Sequence, residues 1–313
     1  MSDLPLDPLT RGRIGWLGET GAAWERSLPE LITDLVREWD LRLTDMPAGR
    51  GSNSYVRAVK RADGTPAVLK LAVDDAGLPQ QAAVLQAADG RGFARLYAYD
   101  GPRQALLLER LGPALRSSGR PVTEQLGVLA DLLRVAWQVP LDIAPEVAPG
   151  DDKASGLHQL IVEFDERLGG ICPPAAKAQA LAYAETRAAA FDPDACVVVH
   201  GDPHPDNALA TLHHPDSYRF VDPDGFRCEP GYDLGVALRD WCAELGALDR
   251  TGARALARTY CTQLGTHAEV DPEVVWQWGF IERVSTGLYA TALGSPDVGR
   301  PFLETAALLA DSR

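Results

Sequence analysis

Apolar residues recur along this chain with two different periods, and the period changes with position. Between Leu41 and Leu71 short apolar runs alternate with turns, a pattern that predicts an antiparallel sheet. A mostly helical leader carrying Trp16, Trp24 and Trp39 precedes it. Pro79 is a residue type suited to the first position of a helix, which the sequence continues through Gln80 to Asp89. Ala105 to Leu108 is a further apolar strand, ending in Glu109, Arg110, Leu111 and Gly112.

From there the helical period takes over. Leu126, Val128, Leu129, Leu132, Leu133, Val135 and Ala136 give the segment Val122 to Val139 a wide apolar stripe. A connection rich in Pro, Gly and Asp spans Ala144 to Ser155, and Leu157 to Leu168 and Ala175 to Phe191 read as two further helices. Two short β-branched runs, Ala195 to Val199 and Arg219 to Val221, interrupt this half. The turn-rich segment Thr211 to Ser217 predicts that they pair as a hairpin. Glu229 to Leu245 follows as a turn and one helix, with Asp233 at its opening, where a carboxylate caps free backbone NH groups. A sheet followed by a larger, mostly helical region is an α+β chain.

The two short strands deliver HGDPHPDN, His200 to Asn207, and Asp222 of the run FVDPDGF. Asp202, Asn207 and Asp222 are thereby expected at one end of the pair. Two carboxylates and an amide facing one cavity suit phosphoryl transfer, which must orient a hydroxyl and offset triphosphate charge with Mg2+. Asp202 would accept the hydroxyl proton, and Asn207 and Asp222 offer the hard oxygen ligands that Mg2+ prefers. Their order and spacing match the protein-kinase pattern. The same run also permits a metal-hydrolase reading, with His200, Asp202, His204 and Asp206 around a transition metal.

Upstream, Ala67 to Leu71 places Lys70 inside an otherwise apolar strand. A buried lysine needs a partner, so its ammonium is expected to meet an anion. The other reading is a lysine on the solvent face of an edge strand. Before it, Pro47 to Tyr55 supplies Gly49, Gly51, Ser52, Asn53 and Ser54, a loop whose backbone NH groups can approach phosphates.

These pieces, with VVVHGDPHPDNALA, RFVDPDGF and PGYDLGVALRDW the most specific, resemble the aminoglycoside phosphotransferase family, in its streptomycin 6-phosphotransferase and hydroxyurea phosphotransferase-like branch. The resemblance runs from about Asp45 to the C-terminal helices. It implies a bilobal protein-kinase-like fold: a nucleotide-binding lobe of residues 1–111 and a catalytic, substrate-binding lobe of residues 112–313. It also implies ATP with Mg2+ as cofactors, Asp202 as base, Asn207 and Asp222 as metal ligands, and His200 and Asp233 as braces of the catalytic loop. Lys70 would hold the α and β phosphates, and the backbone of Glu109, Arg110 and Leu111 would meet the adenine edge. In one place the chain departs from the pattern. Gln81 stands where kinases carry a glutamate that pairs with the strand lysine, and an amide can hydrogen-bond Lys70 but cannot offset its charge. A nucleotide-binding pseudokinase is therefore kept beside the enzyme.

Charge narrows the partners. The 313 residues carry a net charge of −14, which repels a nucleic-acid backbone and suits a cationic, hydroxylated small molecule as acceptor. Asp240, Trp241 and Glu244, expected within one turn of a helix, together with Glu282, are candidates for contact with such a cation. An aminoglycoside or aminocyclitol antibiotic leads the acceptor classes; hydroxyurea, a peptide antibiotic or an amino sugar fit the same architecture. The chain holds no apolar run of about eighteen residues, and its first residues lack the pattern of a signal peptide, so no membrane partner and a cytoplasmic place are expected. Five dispersed cysteines without a CxxC pair suggest reduced thiols.

Overall fold

The alternation in the N-terminal part becomes a five-stranded antiparallel sheet in the computed structural model, which describes residues 6, 8–44, 54–73, 77–148 and 150–311. The chain divides into two compact units, Met1–Gly112 and Pro113–Arg313. In the first, helices α1 (Pro8–Trp16) and α2 (Glu19–Glu38) precede strands β1 (Arg42–Leu43), β2 (Ser54–Lys60) and β3 (Pro66–Ala72). Helix α3 (Leu78–Ala88) and strands β4 (Leu96–Asp100) and β5 (Ala105–Glu109) complete it. The strand order β1-β2-β3-β5-β4 puts β3 in the middle of the sheet.

Side-chain alternation along β3 separates two jobs. Ala67, Leu69 and Leu71 face α2 and share one core with Leu28, Ile32 and Leu35, which recur on that helix at the spacing of one face. Lys70 points to the opposite face. The edge-strand reading of Lys70 is excluded, because β3 is paired on both sides and Lys70 is only 9% exposed.

The second unit opens with α4 (Val122–Ala136), α5 (Lys153–Arg167) and α6 (Pro174–Ala189). Four short strands follow: β6 (Val197–Val198), β7 (Ala208–Ala210), β8 (Tyr218–Phe220) and β9 (Arg227–Cys228). Helices α7 (Gly231–Arg239), α8 (Cys242–Gly246), α9 (Arg250–Ala268), α10 (Pro272–Ala292) and α11 (Pro296–Leu309) end the chain. Helix α10 is buried on most of its circumference, with Val275, Trp276, Trp278, Ile281 and Val284 in the core. Among the described residues, no helix is long and apolar enough to cross a membrane.

Two expectations are corrected here. The strands carrying His200 and Asp222 do not pair with each other: β6 pairs with β9, and β7 with β8 across the turn at 211–217. Residues 199–207 therefore form a loop between two separate ladders, fastened to both. The helix expected from Glu229 to Leu245 is also broken, ending as α7 at Arg239 and resuming as α8 at Cys242. A continuing helix would offer the Ala237 carbonyl to the backbone NH of residue 241. The Trp241 indole takes it instead, Nε1 donating at 3.0 Å.

Helices α7 and α10 touch through glycine. A Cβ added at Gly235 would lie 2.4 Å from Trp278 Cβ and 2.6 Å from the Gly279 nitrogen, so the two helices cannot stay in place around an alanine. Gly235→Ala is expected to destabilise the protein by on the order of 1–3 kcal/mol. Gly156→Ala in α5, where an added Cβ meets nothing within 4 Å, should stabilise by up to about 1 kcal/mol. Denaturant unfolding of both variants measures the contrast, and equal shifts would show that the close approach is not needed.

Candidate active site

The loop after β6 is built around a buried carboxylate. Asp233 of α7 is fully buried and accepts from the backbone NH of His200 at 2.8 Å, the backbone NH of Gly201 at 2.9 Å and the Trp137 indole NH at 2.8 Å. Asp233 is the third residue of its helix and caps nothing there; the N-cap position is Pro230. Burial pushes its acid up, to about 6, against the pull of those three donors, which keep it ionised at neutral pH. Gly201 adopts φ 95°, and a Cβ on it would meet the Asp224 carboxylate at 2.6 Å, so only glycine fits between His200 and Asp202.

His200 is fully buried and bonded at both nitrogens. The Asp202 backbone NH donates to Nδ1 at 3.1 Å, so Nδ1 carries a lone pair, and Nε2–H donates to the Val221 carbonyl at 2.9 Å. The ring is therefore neutral, and burial lowers its acid to about 4 despite the nearby Asp202 charge. Through this ring the loop of Asp202 is tied to the residue before Asp222.

Asp202 itself is 38% exposed. Burial of its surroundings would raise its acid, but the Arg239 guanidinium, followed by His204, holds it well below the usual carboxylate range. Arg239 bonds Asp202 Oδ1, and His204 Nε2 lies 3.3 Å from Oδ2. Between Asp202 and Asp206, His204 is pushed up to about 10: burial works against the charged ring, and hydrogen bonds to the two carboxylates outweigh it. The Asp206 backbone NH, 3.2 Å from Nδ1, is the one contact that favours the neutral ring. Sequence reasoning gave Arg239 no role. A weak signal was present in the apolar run Leu234 to Leu238, since a charged residue continuing a buried stretch needs a partner.

Asn207 and Asp222 come together with Asp202 through the backbone. The Asn207 amide Nδ2 donates to the Asp202 carbonyl at 2.9 Å, which turns its oxygen away as an acceptor. The Asn207 carbonyl accepts from the Val221 NH at 2.9 Å. Asp222 holds φ 58°, a left-handed conformation that costs most residues energy and that Asp tolerates. One amide oxygen and one carboxylate beside an open loop are hard donors that fit Mg2+, leaving room for phosphate oxygens and water. The tightest group of His and acidic side chains among the described residues is instead His204, Asp206 and Asp240. Arg116 bonds both carboxylates of that group. Both nitrogens of His200 are taken by backbone groups and Arg239 occupies Asp202, so the transition-metal cluster of His200, Asp202, His204 and Asp206 is not assembled.

In the first unit, Lys70 Nζ donates to Gln81 Oε1 at 3.1 Å. Glu109 ends β5, its NH donating to Arg95 O at 2.8 Å and its Oε2 accepting from the Arg95 NH at 3.1 Å; Arg110 and the buried Leu111 follow. Gly49, Gly51, Ser52 and Asn53 lie outside the described residues. Ser54 opens β2, buried, its carbonyl accepting from Thr10 Oγ1 at 3.3 Å.

The expected cation-binding face of Asp240, Trp241, Glu244 and Glu282 is not formed. Trp241 is 3% exposed and belongs to the core. Asp240 accepts from Arg116, whose Nε also reaches Asp206 Oδ2 at 2.5 Å. Glu282, 4% exposed, accepts from Arg239 at 2.9 Å and from the Tyr232 hydroxyl at 2.8 Å. Glu244 alone is exposed. The break after α7 separates these residues, and internal arginines take up two of the carboxylates.

A five-stranded sheet with a buried lysine and its helix, followed by a helical unit with Asp and Asn on one loop and a second Asp after the next hairpin, is the architecture of protein-kinase-like phosphotransferases. The chain belongs to the aminoglycoside/hydroxyurea antibiotic resistance kinase family, which matches residues 39–294. It is similar to a streptomycin 6-kinase of Streptomyces griseus, 32% identical over 71% of this chain and 70% of that one. It is also similar to a hydroxyurea phosphotransferase of Kitasatospora aureofaciens, 34% identical over 74% and 66%. The GDP and kanamycin complex of APH(2")-IIia shares the fold with a TM-score of 0.61 at 14% identity, covering 88% of this chain and 98% of that one. Choline kinase LicA from Streptococcus pneumoniae shares it with a TM-score of 0.58 at 11% identity, covering 90% and 99%. The chain is thus a small-molecule phosphotransferase.

Because His200 is held neutral, the unfolded chain binds its proton more readily than the folded one. Stability is expected to fall as pH drops from about 6.5 to about 4, by on the order of 3 kcal/mol from this ring. His200→Gln, which takes up no proton in that window, should show a flatter acid limb when Tm is followed from pH 7 to pH 4. Parallel limbs would assign the acid loss to other groups.

Proposed function

We propose that this protein transfers the γ-phosphate of ATP to a hydroxyl of a cationic aminocyclitol or aminoglycoside antibiotic of the streptomycin class. The observation that carries the reading is the linkage of Asp202, Asn207 and Asp222 through the Asn207 amide and the Val221 NH. Asp202 aligns the acceptor hydroxyl and takes its proton. Asn207 and Asp222 would hold Mg2+, which when bound offsets the charge of the β and γ phosphates. Lys70 binds the α and β phosphates, and Gln81 aims its ammonium. The segment Glu109 to Leu111 meets the adenine. His200 and Asp233 keep the loop of Asp202 in place.

The relative named streptomycin 6-kinase and the net charge of −14 support a cationic acceptor. The relative named hydroxyurea phosphotransferase favours a second reading, an uncharged acceptor, and the engagement of Asp240 by Arg116 supports it. Salt separates the two. Added salt should raise the Michaelis constant of a cationic acceptor and leave that of hydroxyurea unchanged.

A screen of streptomycin, other aminoglycosides, amino sugars and hydroxyurea with γ-labelled ATP and product mass detection tests the function. Phosphate on none of them would overturn it. Asp202→Asn is expected to lower turnover roughly 100- to 10,000-fold while nucleotide affinity stays within a small factor. Lys70→Ala should raise the Michaelis constant for ATP, whereas Gln81→Glu should be tolerated; an unchanged constant in Lys70→Ala removes the phosphate anchor.

A further inference from the structure

Helix α10 reaches the catalytic loop through a chain of buried polar groups that no step of the proposed reaction uses. Arg239 forks between Asp202 Oδ1 and Glu282 Oε2, with its Nη1 donating to the latter at 2.9 Å. Glu282 Oε1 accepts the Tyr232 hydroxyl at 2.8 Å, and that hydroxyl lies 3.3 Å from the Gly201 carbonyl, next to Asp202. The hydroxyl has one proton, so Tyr232 bonds Glu282 and sits beside Gly201, while Arg239 carries the link from Glu282 to Asp202. Tyr232 is 1% and Glu282 4% exposed, so the network replaces apolar packing in a core where buried charge is costly unless fully paired.

The orientation of Arg239 depends on its two terminal nitrogens. Among the described residues its Nε has no hydrogen-bond partner, and Asp240 Oδ1 is 3.8 Å from that atom. A guanidinium gripped at one end is free to swing; a bidentate fork is not. We propose that Glu282 is a positioning residue for phosphoryl transfer. It fixes the Arg239 fork, and Arg239 in turn holds Asp202 by Oδ1, opposite the His204 ring at Oδ2, so that the carboxylate keeps one orientation toward the acceptor hydroxyl. This rests on the assignment of Asp202 to the acceptor. It also gives the buried carboxylate of α10 a task that a hydrophobic residue of equal volume cannot perform.

Glu282→Gln keeps the volume and removes the charge. The expected result is turnover at least about tenfold lower, with the Michaelis constant for nucleotide within twofold of wild type, because a small misplacement of a reacting group slows chemistry without touching nucleotide binding. Slow nucleotide hydrolysis, with water in place of the acceptor, reports the same split. Glu282→Gln in an Arg239→Lys background should add little. If Glu282→Gln does not fold, Tyr232→Phe removes one hydrogen bond to Glu282 and is expected to show the split at smaller amplitude.

A second measurement needs no turnover. Asp202→Asn and Glu282→Gln do not touch, yet through Arg239 they should be coupled by at least about fivefold in the unfolding constant. Additive effects, or turnover in Glu282→Gln within twofold of wild type, overturn the proposal. A wild type inactive on every acceptor of the screen, with the coupling intact, overturns the proposed function while supporting the tie between Glu282 and Asp202.

Discussion

A carboxylate with no access to water fixes the loop of residues 199–207 in this protein. Asp233 accepts two consecutive backbone NH groups, from His200 and Gly201, and the indole NH of Trp137 at the end of α4. Each donor would otherwise be an unsatisfied polar group in the core. One side chain on α7 thereby orients the loop and joins it to a neighbouring helix. The neutral ring of His200 extends the constraint by accepting from Asp202 and donating to Val221. Between them, Asp233 and His200 hold the middle of the loop in one conformation although its two ends belong to different ladders.

Those constraints are local in sequence where they were readable and distant where they were not. That the loop of Asp202 and Asn207 lies beside the strand before Asp222 was readable because the spacing of a loop and its following strand is written in consecutive residues. The sheet and the role of β3 were readable for the same reason: alternation places Lys70 opposite Leu69 and Leu71 whatever the rest of the chain does. Pairing of β6 with β9 depends on Cys228 and Arg227 returning to Val197 and Val198, and two-residue strands carry too little pattern to announce a partner. Arg239 escaped notice because its partners, Asp202 and Glu282, come from a loop and a helix far away in sequence.

The misread substrate face has a different origin. Helical periodicity treats every backbone carbonyl as already spoken for by the residue four positions on. At Ala237 an indole competes for that carbonyl and wins. The helix stops, Trp241 falls into the core, and Asp240 turns toward Arg116.

The left-handed backbone at Asp222 also limits how this chain can change over time. Gly, Asn and Asp take φ 58° most readily, and Gln104 and Glu269 show that this fold also holds longer polar side chains there. β-branched residues are the ones such a backbone resists most. Substitution at 222 therefore meets a conformational filter, against valine, isoleucine and threonine, before it meets any chemical one.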